Sequence, residues 1–160
     1  MRCLAQLEQS LLASGHRDFR MVVVGQGAEA TWLRRNMQHA EFMGVLTGKN
    51  LSRAFANMDL FVFPSETDTF GLAVLEALSS GVPAVVTAVG GPKYTVQHGK
   101  TGYVANTFDD FVYIHRASAD PTGLALADGF SGARTCSFDL VGADFRGHVQ
   151  DLRALLLRCR

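Results

Sequence analysis

Apolar residues along this chain keep two alternating rhythms. Leu4, Leu7, Leu11 and Leu12 recur at helical spacing, and Gly15 follows as a helix stop. Phe19-Arg20-Met21-Val22-Val23-Val24 is a β-branched run ending at Gly25, the pattern of a strand buried on both faces. A helix is expected over about Ala28–Gln38, then a short strand Glu41-Phe42-Met43 closed by Gly44. Asn50 is the expected cap of the next helix, which runs to about Met58. Leu60-Phe61-Val62-Phe63 predicts a second near-continuous apolar strand, stopped by Pro64. A strongly apolar helix over about Phe70–Ser80 ends at Gly81, and Pro83-Ala84-Val85-Val86-Thr87 predicts a third buried strand. Gly99-Lys100-Thr101-Gly102 turns into a short strand at Tyr103-Val104-Ala105. Further helices are expected near Thr107–Ala119, Pro121–Thr135 and Leu140–Arg158, the last with Leu152, Leu155, Leu156 and Cys159 on one face.

Strands alternating with helices predict an α/β fold: a Rossmann-like parallel sheet with helices on both faces, in three layers, as a single domain over residues 1–160. Hydrophobic residues make up 48% of the 160, enough for a proper core. The formal net charge is zero, which argues against a nucleic-acid partner, since phosphate contacts need a basic excess. Cys3, Cys136 and Cys159 match no metal-ligand spacing and read as ordinary thiols. No apolar run approaches the ~18 residues of a membrane span, and the start lacks the pattern of a secretory leader. The expected location is cytoplasmic, with room for a peripheral membrane association.

Ligands of such sheets bind beyond the carboxyl ends of the strands. Three loops therefore carry the candidate chemistry: Gly25-Gln26-Gly27, Pro64 through Thr69, and Val89-Gly90-Gly91-Pro92. Gly25-Gln26-Gly27-Ala28-Glu29-Ala30 fits the G-x-G-x-x-A dinucleotide fingerprint. That site also wants an acid at the end of the second strand; here the strand ends in Met43-Gly44 and Glu41 sits at its start. The loop is either a phosphate contact or a tight strand-to-helix turn. Asp68 or Thr69 can cap the following helix, leaving the amides of Phe70, Gly71 and Leu72 as an anion site. Glu76 is a lone carboxylate in an apolar helix, costly there unless hydrogen-bonded. It serves a ligand's hydroxyls, emerges at a packing gap, or pairs with an arginine. Glu66 and Asp68 form an acid-x-acid pair that could hold a cation, but no metal site is expected.

The stretch Phe63-Pro64-Ser65, Asp68-Thr69-Phe70-Gly71-Leu72-Ala73-Val74-Leu75-Glu76-Ala77 and Ser80-Gly81-Val82-Pro83 resembles the donor-site motif of family 4 (group 1) retaining glycosyltransferases of the two-domain GT-B fold. The motif's two acids, seven residues apart, correspond to Asp68 and Glu76. Val24-Gly25-Gln26-Gly27, Phe42-Met43-Gly44, Asn57 through Ser65, Gly90-Gly91-Pro92 and His98-Gly99-Lys100-Thr101-Gly102 agree in order, and the resemblance is strong from about Phe19 to Ala105. It implies a C-terminal, donor-binding domain that takes a UDP- or GDP-sugar, with no cofactor or metal. It implies that Glu76 bonds the donor's ribose hydroxyls and that Asp68, the catalytic residue of the motif, contacts the donor sugar. Thr69 and the amides of Phe70, Gly71 and Leu72 would face sugar and diphosphate. Gly44 and Val45 would lie near the base, and Gly25 and Gly27 would line the same cleft.

Departures from the family pattern are also plain. Asp68 is one methylene shorter than the usual Glu, and Tyr94 stands where many members carry Glu. The basic pair that grips the diphosphate and the acceptor-binding N-terminal domain have no counterpart in these 160 residues. The chain alone is therefore not expected to transfer sugar. The resemblance leaves two readings: half of a transferase, or a binding module or partner subunit of a split enzyme. A bare apolar face on the terminal helix would invite homodimerisation.

Overall fold

The computed structural model describes residues 3–17, 19–118 and 154–159. Helix α1 (Cys3–Ala13) leads through Gly15, at φ +83°, into strand β1 (Phe19–Val24). Helix α2 (Ala30–Asn36), β2 (Ala40–Gly44), α3 (Gly48–Ala56), β3 (Leu60–Phe63), α4 (Leu72–Ser79) and β4 (Ala84–Thr87) follow. A short 3-10 turn (Pro92–Tyr94), β5 (Gly102–Ala105), α5 (Phe108–Ser118) and β6 (Ala154–Cys159) complete the described elements. The strands form one sheet in the order β2-β1-β6-β3-β4-β5. The pairs β1–β2, β3–β4 and β4–β5 are parallel, as the alternation predicts.

Two cores lie on opposite faces of this sheet. Alternate residues of β1 separate them: Met21 and Val23 point to the face covered by Leu4, Leu7 and Leu11 of α1, Leu33 of α2 and Phe111 of α5. Val22 and Val24 point to the face covered by Phe55 of α3 and Ala73, Val74 and Ala77 of α4. All four residues of β3 are buried. That explains why this strand reads as a continuous apolar run rather than an alternation.

Glu8 is the one charged residue among the buried side chains described, at 1% exposure. It follows Leu4 and Leu7 on the inward stripe of α1. Its carboxylate accepts the backbone amides of Gln38 at 3.0 Å and His39 at 2.7 Å. One side chain thus ties α1 to the connection between α2 and β2.

Two expectations fail. Asn50 does not cap α3: the helix starts at Gly48, after Thr47, because the chain turns early at Gly44 (φ +67°) and Gly48 (φ +53°). Residues 154–158 are not helical. Ala154–Cys159 is a strand, β6, antiparallel to both neighbours, with Leu156 opposite Val22 on one side and Phe61 on the other. The backbone groups of β1 and β3 offer this segment hydrogen bonds along both edges, which outweighs helix propensity. The case for a homodimer through a terminal helix loses its basis, since Leu155 and Leu156 belong to the sheet. The helix expected over Pro121–Thr135, and the part of the last helix before residue 154, lie outside the described residues.

α5 begins with a reciprocal cap. The amide of Asp110 donates to Thr107 Oγ1 at 3.2 Å, and Asp110 Oδ2 accepts the amides of Asn106 at 2.9 Å and Thr107 at 3.0 Å. The Thr107 and Asn106 amides pull the Asp110 carboxyl below the usual carboxylate range. A folded value below the unfolded one means that the cap contributes above the unfolded carboxylate range and fades as pH falls through the folded value. A carbon-detected NMR titration should place the Asp110 carboxyl below the ordinary aspartate range, and Thr107→Ala, which deletes the reciprocal hydroxyl partner, should bring it part of the way back.

Candidate functional site

β1 and β2 end side by side. Gly25, at φ +117°, donates its amide to the carbonyl of Gly44 at 2.7 Å. Only glycine adopts that backbone readily, so the two chain ends can close on each other. Gly27 accepts the amide of Ala30 at 3.1 Å as α2 begins. Val45 stands 43% exposed just beyond. The structure therefore joins Gly25, Gly27, Gly44 and Val45 on one part of the carboxyl edge. Glu41 is engaged elsewhere: it pairs with Arg20 of the neighbouring strand, so it does not supply the ribose-binding acid of a dinucleotide site.

β3 and β4 end in two loops locked together. Gly91 donates its amide to the carbonyl of Asp68 at 2.9 Å. A Cβ on Gly91 would sit 1.9 Å from the carbonyl oxygen of Thr69, and one on Gly90 would sit 2.9 Å from that of Asp68. The two glycines thus let backbone lie directly on backbone. The Thr87 hydroxyl lies 2.8 Å from the Ser65 carbonyl and 2.9 Å from that of Val89, so its one proton serves both loops. Pro92 packs against Gly71, where an added Cβ would come within 2.9 Å of the ring.

The N-cap of α4 is Gly71, not Asp68 or Thr69 as expected; Asp68 instead folds back on the amides just ahead of the helix. Its Oδ1 accepts the amides of Phe70 at 2.9 Å and Gly71 at 2.6 Å, while Gly71 takes a left-handed conformation before Leu72. Two of the three amides expected to be open to a ligand are therefore held by the chain's own carboxylate. The cause is the short reach of aspartate: it folds back on amides two and three residues ahead, as in an Asx turn. Leu72 opens the helix proper, where no earlier helical carbonyl can serve its amide.

Glu76 lies in the second turn of α4, half-buried rather than enclosed, and Leu75 beside it is 36% exposed. The carbonyl of Glu76 accepts the hydroxyls of Ser79 and Ser80, each at 2.9 Å, as the helix ends. Phe70 and Val89 are 58% and 55% exposed on the same carboxyl edge. The residues from the sequence motif thus share one open edge rather than an enclosed cavity.

A cavity of about 130 Å³ opens beside them, lined by Cys3, Pro64, Glu66, Thr87 and Asn106 among others. Sequence reasoning missed it, because it depends on α1 meeting the ends of β3, β4 and β5. It is smaller than the ~300 Å³ at which ligand sites begin. Burial pushes the Cys3 thiol up from its ordinary value. Among the described residues no third His, Cys, Asp or Glu joins Glu66 and Asp68.

A doubly wound α/β domain with its glycine turns, acid loop and helix start on the carboxyl edge has the architecture of a nucleotide-binding domain. The chain belongs to the glycosyl transferases of group 1, whose family model matches residues 2–115. It is 39% identical over 109 residues to a GDP-mannose-dependent alpha-mannosyltransferase of Corynebacterium glutamicum, covering 68% of this chain and 25% of that protein. It is 49% identical over 73 residues to the sulfoquinovosyl transferase SQD2 of Arabidopsis thaliana, covering 44% of this chain and 14% of that protein. The chain thus spans about a quarter or less of the length of these relatives. Among solved structures, WaaG, a glycosyltransferase involved in lipopolysaccharide biosynthesis, matches 79% of this chain and 36% of its own at a TM-score of 0.64 and 20% identity. At that identity the likeness shows the fold alone, a GT-B-type α/β domain.

Proposed function

We propose that this chain is the donor-binding domain of a retaining glycosyltransferase and holds a UDP- or GDP-sugar along the carboxyl edge of its sheet. The observation that carries the reading is the locked pair of loops, Ser65–Thr69 against Val89–Pro92, which fixes Asp68 and the start of α4 beside each other. The relatives support the chemistry: one is a GDP-mannose-dependent mannosyltransferase, and a structure of similar fold, at a TM-score of 0.56, was solved with UDP and glucose. In this reading Glu76 accepts the ribose hydroxyls, and Gly25, Gly27, Gly44 and Val45 line the nucleoside end. Asp68, Thr69, Phe70, Gly71 and Leu72 face the sugar and diphosphate.

The folded-back Asp68 sets the terms of binding. Its carboxylate holds the amides of Phe70 and Gly71, so a diphosphate either leaves that turn intact and uses Leu72, or displaces it. Displacement exchanges one anion for another at the positive end of α4 and costs the turn's own hydrogen bonds. Affinity for nucleotide is accordingly weak, about millimolar, or ~4 kcal/mol. Transfer itself needs donor and acceptor held together with water excluded, which positioning alone makes worth ~7–11 kcal/mol. We assign the acceptor side of that cleft to a second domain, and the reaction needs no resident metal or cofactor.

The test compares two carboxylates. Glu76→Gln is expected to weaken nucleotide binding about tenfold or more, since a charged hydrogen bond contributes roughly 1.5–3 kcal/mol. Glu66→Gln, on the exposed loop beside the small cavity, should leave binding close to unchanged. Equal losses from both, read by chemical-shift titration, would overturn the assignment of Glu76.

A further inference from the structure

Strand β2 alternates between two environments. Ala40 and Phe42 pack against the core under α1 and α2, whereas Glu41 and Met43 are exposed on the face that carries α3. Between these two residues and α3 runs a groove of about 420 Å³. That volume lies within the ~300–1,000 Å³ of small-molecule sites, which the space beside Cys3 does not reach. The floor of the groove is apolar: Val22, Met43, Leu46, Ala54 and Met58. Its rim is polar. Asn50, Arg53 and Asn57 follow one another at helical spacing along α3 and its C-cap, and the Arg20–Glu41 pair stands on the strands. None of the residues assigned to the donor lines it.

The charges on this rim do not cancel. Arg20 is held by Glu41, its Nε donating at 3.0 Å, and that engages the groove's carboxylate. The side chains of Arg53 and Asn50 make no hydrogen bond or ion pair among the described residues. A guanidinium and an amide with unused donors thus overlook an apolar floor. Two of the floor side chains are methionines, whose unbranched thioethers adapt to a ligand's shape.

We propose that this groove binds a single-chain amphiphilic anion, a monomeric carboxylate of the fatty-acid type. Its head takes the parallel N–H groups of Arg53, and its alkyl chain lies on Val22, Met43 and Met58. Net positive charge above an apolar floor selects this chemistry. The guanidinium fork matches a carboxylate, while a cationic head would be opposed by it. The chain supplies apolar area to cover the floor, which a head alone cannot do. The site stands apart from the donor edge and does not rest on the function proposed above.

Octanoate, monomeric at millimolar concentration, is a suitable probe, read by the methyl signals of the methionines. These report from both faces of the sheet: Met43 and Met58 line the groove, while Met21 and Met37 belong to the opposite core. Saturable shifts are expected at Met43 and Met58, with Met21 and Met37 still. Acetate, a head without a chain, should give none, and octyltrimethylammonium should bind about tenfold more weakly than octanoate. Arg53→Gln, at an exposed position of α3, keeps a hydrogen-bond donor but removes the charge. It should raise the octanoate Kd about fivefold to tenfold. No shift with octanoate, equal affinity for the ammonium, an unchanged Kd in the Arg53→Gln chain, or equal shifts at all four methionines would overturn the proposal. Shifts that appear only with vesicles of anionic lipid would also overturn it, assigning the groove to a membrane surface. Shifts that follow protein concentration without ligand would assign it instead to a second copy of the chain. Nucleotide binding is read separately at Gly25 and Gly71, so either reading can fail without the other.

Discussion

Gly91→Ala is expected to abolish nucleotide binding and to destabilise the domain at or above the upper end of the ~1–3 kcal/mol typical of overpacking. The added Cβ would stand 1.9 Å from the Thr69 carbonyl oxygen and 2.3 Å from its carbon. Both partners in that clash are backbone, so no side chain can turn aside. The two loops must part, and the bond from the Gly91 amide to the Asp68 carbonyl goes with them. Asp68 and the first amides of α4 would then lose their fixed relation. A thermal melt should fall by several degrees, and shift changes on adding nucleotide should disappear. An alanine variant with unchanged melting and unchanged binding would show that the loop pair is irrelevant to the site.

Glu8→Ala should cost about 3 kcal/mol of stability while leaving the carboxyl-edge loops chemically intact. The substitution deletes a buried carboxylate and leaves the amides of Gln38 and His39 without their acceptor. Each such loss costs ~1–3 kcal/mol, and the vacated volume in the core between α1 and the sheet adds a cavity term. Glu8→Gln keeps an acceptor oxygen at nearly the same place and should recover part of the loss. Denaturant unfolding of the three proteins gives the ranking directly: parent, then Gln, then Ala. An alanine variant as stable as the parent would show that the two hydrogen bonds contribute nothing net.

These two residues mark what the sequence could convey. β1, β3 and β4 were legible because burial on both faces demands apolar runs that no helix of similar length needs. Gly90-Gly91-Pro92 was legible as a motif but not as a contact: that Gly91 lies on the Thr69 carbonyl is a fact of two loops meeting. Asp68 shows the limit most clearly. A carboxylate before a helix is equally able to meet a ligand or its own amides, and only geometry distinguishes the two. Glu8 was readable in principle, as a charge on the stripe of Leu4, Leu7 and Leu11, yet its partners lie 30 and 31 residues away. Residues 154–158 misled because Leu155-Leu156-Leu157 fits either period. Their partners in β1 and β3, not their own spacing, decide that they form a strand.

The central claim is that the carboxyl edge binds a nucleoside diphosphate and its sugar. The most direct measurement is an amide chemical-shift titration of the chain with UDP, GDP and ADP, and with UDP-glucose and GDP-mannose, up to several millimolar. The account predicts saturable shifts at Gly25, Gly44, Gly71 and Leu72 with a Kd of about a millimolar, for a uridine or guanosine nucleotide, while Glu8 and the amides it holds stay still. No shift at Gly71 or Gly44 with any nucleotide at that concentration, or shifts confined to residues around the cavity at Cys3, would contradict it.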